Sequence, residues 1–240
     1  MTSLWGTGIW KFWALTGRAL LAAVGLFLVA SAPAAAATPT HPVTIGANLK
    51  TAPNVNFDCS VIPFEFSPFG TGGPSCAWGT PLVPGTSTGG LDVPGTGTIF
   101  QVKLRVGATT GPMQLVILRT LFDPNNLANN ECCVMVARSS IFTPVRNGIT
   151  THKVTLPVRE GALGNVDVLD QVGLQILEDH VPIPVINETN LPIGNSLGDQ
   201  PFDNFNAPAF TKLGGFQLRA DPAGYMLDMQ ATWFPPGQHP

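Results

Sequence analysis

The sequence predicts an all-β protein: an antiparallel two-sheet sandwich, jelly-roll-like, with two long loops. Three observations predict it. Apolar residues recur with period 2 in segment after segment, and helical periodicity is almost absent. The 23 prolines and 26 glycines punctuate the chain as turns do.

The first 37 residues read as a secretory signal. Lys11 and Arg18 form a positive n-region, ALLAAVGLFLVA is an apolar core, and SAPAAAA offers small residues for cleavage. The core is short for a membrane span. Cleavage after Ala36 or Ala37 is expected, with residues 38–42 as a linker and residues 43–240 as one domain. About 200 residues suit a single sizeable core. Removing Lys11 and Arg18 leaves ten Lys and Arg against 15 Asp and Glu, a formal charge of −5. That balance excludes the basic face that nucleic acid needs. The mature protein is expected to be secreted, with no transmembrane segment and no cofactor.

Each strand is read from its alternation. VTIGANL sets Val43, Ile45, Ala47 and Leu49 on one face. IFQVKLRVG sets Val102, Leu104 and Val106 against Lys103 and Arg105. MQLVILRT is apolar on both faces, as a central strand is. HKVTLPV buries Val154, Leu156 and Val158, but Pro157 cannot donate to a ladder, so this strand belongs at an edge or a bulge. DQVGLQIL points Val172, Leu174 and Ile176 inward. GFQLRA and YMLDMQATWF close the chain around the turn DPAG, with Tyr225, Leu227, Met229, Ala231 and Trp233 on one face. The count is roughly eight to ten strands. Residues 50–96 and 186–210 read as the two long loops, rich in Pro, Gly, Asn and Phe. Loops of that length are often functional.

Four cysteines in an exported chain suggest two disulfides. The simplest pairing joins Cys59 to Cys76 and Cys132 to Cys133; a crossed pairing remains open. Neighbouring side chains on an extended strand face opposite ways, and a trans peptide holds adjacent Cα atoms ~3.8 Å apart. A bond between Cys132 and Cys133 therefore needs distorted backbone. Such a ring would be either a ligand platform or a locked turn.

Little else carries chemistry. GTSTG around Ser87 matches a nucleophile pattern but lacks the strand–turn–helix context. His41, His152, His180 and His239 show no metal-ligand spacing. The cluster Glu178, Asp179, His180 reads as a solvated strand end. Asp199 and Asp203 are oxygen ligands of a type suited to calcium, without a recognised loop. No residue is assigned a catalytic role. Trp78, Tyr225 and Trp233 are candidate residues for stacking on a ligand.

With the TIG strand, the loop from Cys59 to SCAW, GPMQLVILR and the CC strand, the chain resembles exported β-sandwich proteins of unknown function from high-GC Gram-positive bacteria. The resemblance implies export and an all-β sandwich, and carries over no catalytic residue. Three functions compete. The first is a binding module for cell-surface carbohydrate or another surface ligand. The second is a structural protein that assembles with itself, and the third a secreted hydrolase.

Overall fold

Alternation in the sequence becomes pleat in the structure. The computed structural model describes residues 39–55, 58–60, 73–79, 91–122, 131–163, 166–187, 204–206, 208–215 and 225–240. They belong to one compact unit, Ala37–Pro240. Its strands are β1 (Val43–Gly46), β2 (Cys76–Gly79), β3 (Gly97–Arg105), β4 (Met113–Phe122), β5 (Glu131–Phe142) and β6 (Ile149–Val158). They continue with β7 (Glu160–Leu163), β8 (Val166–Ile176), β9 (Val185–Asn187), β10 (Asn204–Asn206), β11 (Tyr225–Leu227) and β12 (Met229–Phe234). Among the described residues there is no helix.

The strands form a four-stranded sheet, ordered β1-β12-β3-β6, a larger one, ordered β10-β2-β8-β4-β5 with β7 also paired to β8, and a separate pair, β11-β9. Every pairing is antiparallel. With the short β7, β9, β10 and β11 set aside, eight strands remain. In chain order the sheets then read 1-8-3-6 and 2-7-4-5, which is the jelly-roll path.

The period-2 faces meet between the sheets. Ile99, Val102, Leu104, Leu156, Val158, Met229, Ala231 and Trp233 come from one sheet. Trp78, Met113, Leu115, Ile117, Val172, Leu174 and Ile176 come from the other. Trp78 and Trp233 are both 0% exposed. Each buries roughly 200 Å², a gross gain of about 5 kcal/mol, so they anchor this core. MQLVILRT is indeed central, as β4 lies between β8 and β5. The Pro157 strand is an edge, the outer strand of the four-stranded sheet.

The larger sheet is also buried on part of its outer face. Residues 208–215 cross it as a strap. The Ala209 N–H donates to Ser75 Oγ at 3.2 Å and the Phe210 N–H to Gln175 Oε1 at 2.6 Å. At the far edge Gly214 and Gly215 exchange main-chain bonds with Met135. Phe210 then fills a second cluster with Ala77, Val116, Leu118, Cys133 and Met135. Beneath the strap, Gln175 Nε2 donates to Gln114 Oε1 at 3.0 Å, and Gln114 Nε2 to the Ser139 carbonyl at 2.7 Å. These buried amides are satisfied, as burial requires.

The structure differs from the sequence expectations in three places. VTIGANL is not one strand. β1 stops at Gly46, whose φ is +95° and whose Cβ, if it had one, would strike the Met229 carbonyl and the Leu91 side chain. Ala47 and Leu49 turn away to pack with Met226. YMLDMQATWF is broken at Asp228: β11 pairs with β9, and β12 pairs with β1 and β3. The two long segments are not only loop, because they hold β2 and β10, paired to each other. The GFQLRA strand falls on residues outside the described set from 216 on, as do residues 1–37, expected to be the signal.

Candidate functional site

Strand register brings certain loops to one end of the sandwich. Gly46 pairs with Gln230, Arg105 with Ile149, and Met113 with both Phe142 and Ile176. Residues 47–55, 106–112, 143–148 and 177–184 therefore leave the sheets at this end.

Three of these segments enclose a groove of about 280 Å³. Its walls are residues 53–55, residues 106–109 and residues 182–184. The size lies near the lower limit for small-molecule sites. Proline restricts the walls at Pro53, Pro182 and Pro184. Main-chain bonds fix them further: Asn54 N–H to Val185 O at 3.3 Å, Val106 N–H to Gly148 O at 3.2 Å, and Asn147 N–H to Gly107 O at 2.8 Å.

Asp228 links two of these walls through its main chain. Its N–H donates to the Pro184 carbonyl at 2.8 Å, and its carbonyl accepts the Arg105 N–H at 3.0 Å. Its carboxyl group is fully buried, and among the described residues neither oxygen has a hydrogen-bond partner. Burial pushes its pKa up to about 7, against the opposing pull of Arg105. Arg105 directs Nη1 elsewhere, to the Leu49 carbonyl at 2.8 Å and the Lys50 carbonyl at 3.1 Å.

Beside the groove, the fold brings Asp58 to Asp179 and His180. His180 Nδ1 is 3.4 Å from Asp58 and Nε2 is 3.4 Å from Asp179. Burial pushes the Asp58 carboxyl up, but the hydroxyl and N–H of Ser60 and the nearby His180 together hold it below its ordinary value. The three side chains present ligand atoms within 4.8 Å of one another. The solvated reading of Asp179 and His180 stands, since both are exposed. Sequence spacing missed Asp58, because 120 residues separate it from this turn. The only hint was its place beside a disulfide cysteine.

Cys59 and Cys76 are bonded, with Cα atoms 5.5 Å apart. The bond ties the Asp58 turn to β2. Cys133 is also disulfide-bonded, and is buried in the outer cluster. Its partner is neither Cys59 nor Cys76, which hold each other. The backbone there is distorted: Leu121 pairs with Glu131 and Arg119 with Val134, so Cys132 and Cys133 together oppose Thr120. Two residues against one is a β-bulge. The Cys132 side chain lies outside the described residues. Glu131 pairs at the end of the sheet away from the groove.

Two of the three stacking candidates, Trp78 and Trp233, are fully buried, out of a ligand's reach. Trp78 and Trp233 are core residues, and the Trp233 Nε1–H is engaged by the Gly95 carbonyl at 3.1 Å. The Tyr225 side chain, Ser87, Asp199 and Asp203 lie outside the described residues. His152 is stacked on Phe142 with ring centroids 4.2 Å apart, and burial lowers its pKa, so it stays neutral near pH 7. No family model, curated protein or solved structure matches the chain significantly.

Proposed function

We propose that this is an exported, non-catalytic binding module of the cell envelope. Its ligand is a surface carbohydrate or a similar polar surface group, held in the groove formed by residues 53–55, 106–109 and 182–184. The observation that carries the reading is the construction of that groove. Its walls are stiffened by proline and main-chain bonds, so little freedom is lost when a ligand enters. With both described tryptophans in the core, recognition rests on wall shape and main-chain polar groups rather than on aromatic stacking.

Self-assembly through open strand edges is the second reading. Ile141, near the end of β5, and Val145, on the β5–β6 connection, favour it, being 60% and 65% exposed. The edges themselves weigh against it. β6 carries Pro157 and Lys153, β5 is capped at Met135 by the strap, and β1 and β10 are only 4 and 3 residues long.

The test is binding of purified protein to solubilised envelope polysaccharide, followed by calorimetry. The same protein carrying Ala108→Trp, which fills the groove from an exposed wall position, is expected to bind at least about tenfold more weakly. Equal binding by the variant would move the site elsewhere. No binding by either, with mass rising as concentration rises, would favour self-assembly.

A further inference from the structure

We propose that Asp228 and Arg105 form a proton-operated latch that sets how firmly residues 49–55 close the groove. The inference rests on the groove being the binding site, and extends that reading to its regulation.

The geometry is that of a device with an unused half. Asp228 is 0% exposed, and both carboxyl oxygens lack a hydrogen-bond partner among the described residues. A buried polar group in that condition is costly, and far more so when it is charged. The neighbouring cation, Arg105, is committed instead to the carbonyls of Leu49 and Lys50. Those two residues lead directly into the wall at Pro53. Through its main chain Asp228 also holds Pro184, in the second wall, and Arg105, which precedes Val106 in the third. One residue thus touches the supports of all three walls.

Among the described residues, β3 contributes Arg105, which acts on Asp228 directly, and on the same face Lys103, the register partner of Gln230. Residues 47–50 contribute Lys50, which is exposed. Pro184 meets it through the main chain, and on β12 stands Gln230, whose Nε2 donates to the Ala47 carbonyl at 3.2 Å. Neither titrates.

The protonated acid is neutral and tolerates its burial, so Arg105 stays on the carbonyls and the wall is held. When the proton leaves to solvent, a buried carboxylate faces a guanidinium that is bonded elsewhere. Relief comes when Arg105 turns to the carboxylate or when water reaches it. Either change releases residues 49 and 50 and loosens the wall that follows.

The sign follows from linkage. In the closed form the Asp228 pKa is about 7, against an ordinary value of 3.8. The closed form therefore binds the proton more tightly than the open one. Its advantage is complete below the lower value and is lost as pH rises through the upper one. Opening should increase by up to about tenfold per pH unit between about pH 4 and about pH 7, then level off.

Backbone hydrogen exchange of the whole protein without ligand tests this, measured from about pH 4 to about pH 9 and corrected for intrinsic chemical exchange. Protection of the amides in residues 49–55 is expected to fall with that slope, while amides of β3 and β4 keep theirs. Asp228→Asn mimics the protonated acid, so its profile in residues 49–55 is expected to be flat and protected. Arg105→Gln is expected to be weakly protected at every pH. A flat wild-type profile would overturn the latch, and so would an Asp228→Asn profile that falls as the wild type does. A groove that binds nothing leaves this exchange profile intact, so latch and binding fail separately.

Discussion

Two buried aspartates on this chain meet opposite fates. Asp170 is fully buried like Asp228, but its carboxylate is saturated. Arg119 grips it through Nε at 2.7 Å and Nη2 at 2.9 Å, and the Arg159 N–H adds a third bond at 2.7 Å. Those bonds raise the Arg119 pKa above its ordinary value, against the opposing effect of burial. The cluster sits where the chain leaves β6 for β7, so it fixes the crossing from one sheet to the other. Removing the cation should be costly, because a buried carboxylate would lose its charge partner. Arg119→Met is expected to cost about 3 kcal/mol. Arg119→Met with Asp170→Asn should cost less than Arg119→Met alone, since the charge leaves with its partner. Urea midpoints at unchanged m-value measure both. A double variant as unstable as Arg119→Met would show that packing, not charge, holds the crossing.

At the level of elements, what could be read from the sequence follows the length of the pattern. β3, β4, β6, β8 and β12 each carry three or more alternating apolar residues, and their inward faces were legible. So were the edge position of the proline strand and the central position of MQLVILRT. β2 and β10 were not legible, because four and three residues among prolines and glycines contain no period to detect. The Asp228 break was not legible either. Leu227 and Met229 keep the alternation across it, and only tertiary pairing separates the strands. The outer strap was likewise hidden, since its single deep anchor, Phe210, looks like any loop aromatic. Phe210→Ala should therefore cost roughly 3 kcal/mol, near the lower limit for a core phenylalanine, because a solvent-side strap can collapse into the gap. Thermal unfolding of that variant measures it. A shift below about 1 kcal/mol would mean that the strap is held by its main-chain bonds alone.

For the whole molecule, the jelly-roll path separates two features that the sequence left unplaced. The groove lies where β3 ends and β4 begins, and the cysteine bulge lies where β4 ends and β5 begins. The antiparallel pairing of β4 with β5 puts these at opposite ends. A ring between Cys132 and Cys133 would therefore lock the bulge and the start of β5, rather than floor the groove. Trypsin offers a clean test, because it separates the cysteines in pairs. Cys59 and Cys76 fall in the one peptide from Thr51 to Lys103, and Cys132 and Cys133 in the one from Thr120 to Arg138. Without reduction, each peptide is expected alone and lighter by two hydrogens. The N-terminal peptide is expected to begin at Ala37 or Thr38. A species joining the two cysteine peptides would mean a crossed pairing, and would make the bulge a tether between β5 and the segment around β2. An intact Met1 would remove the argument for export, and with it the oxidising environment that the disulfides require.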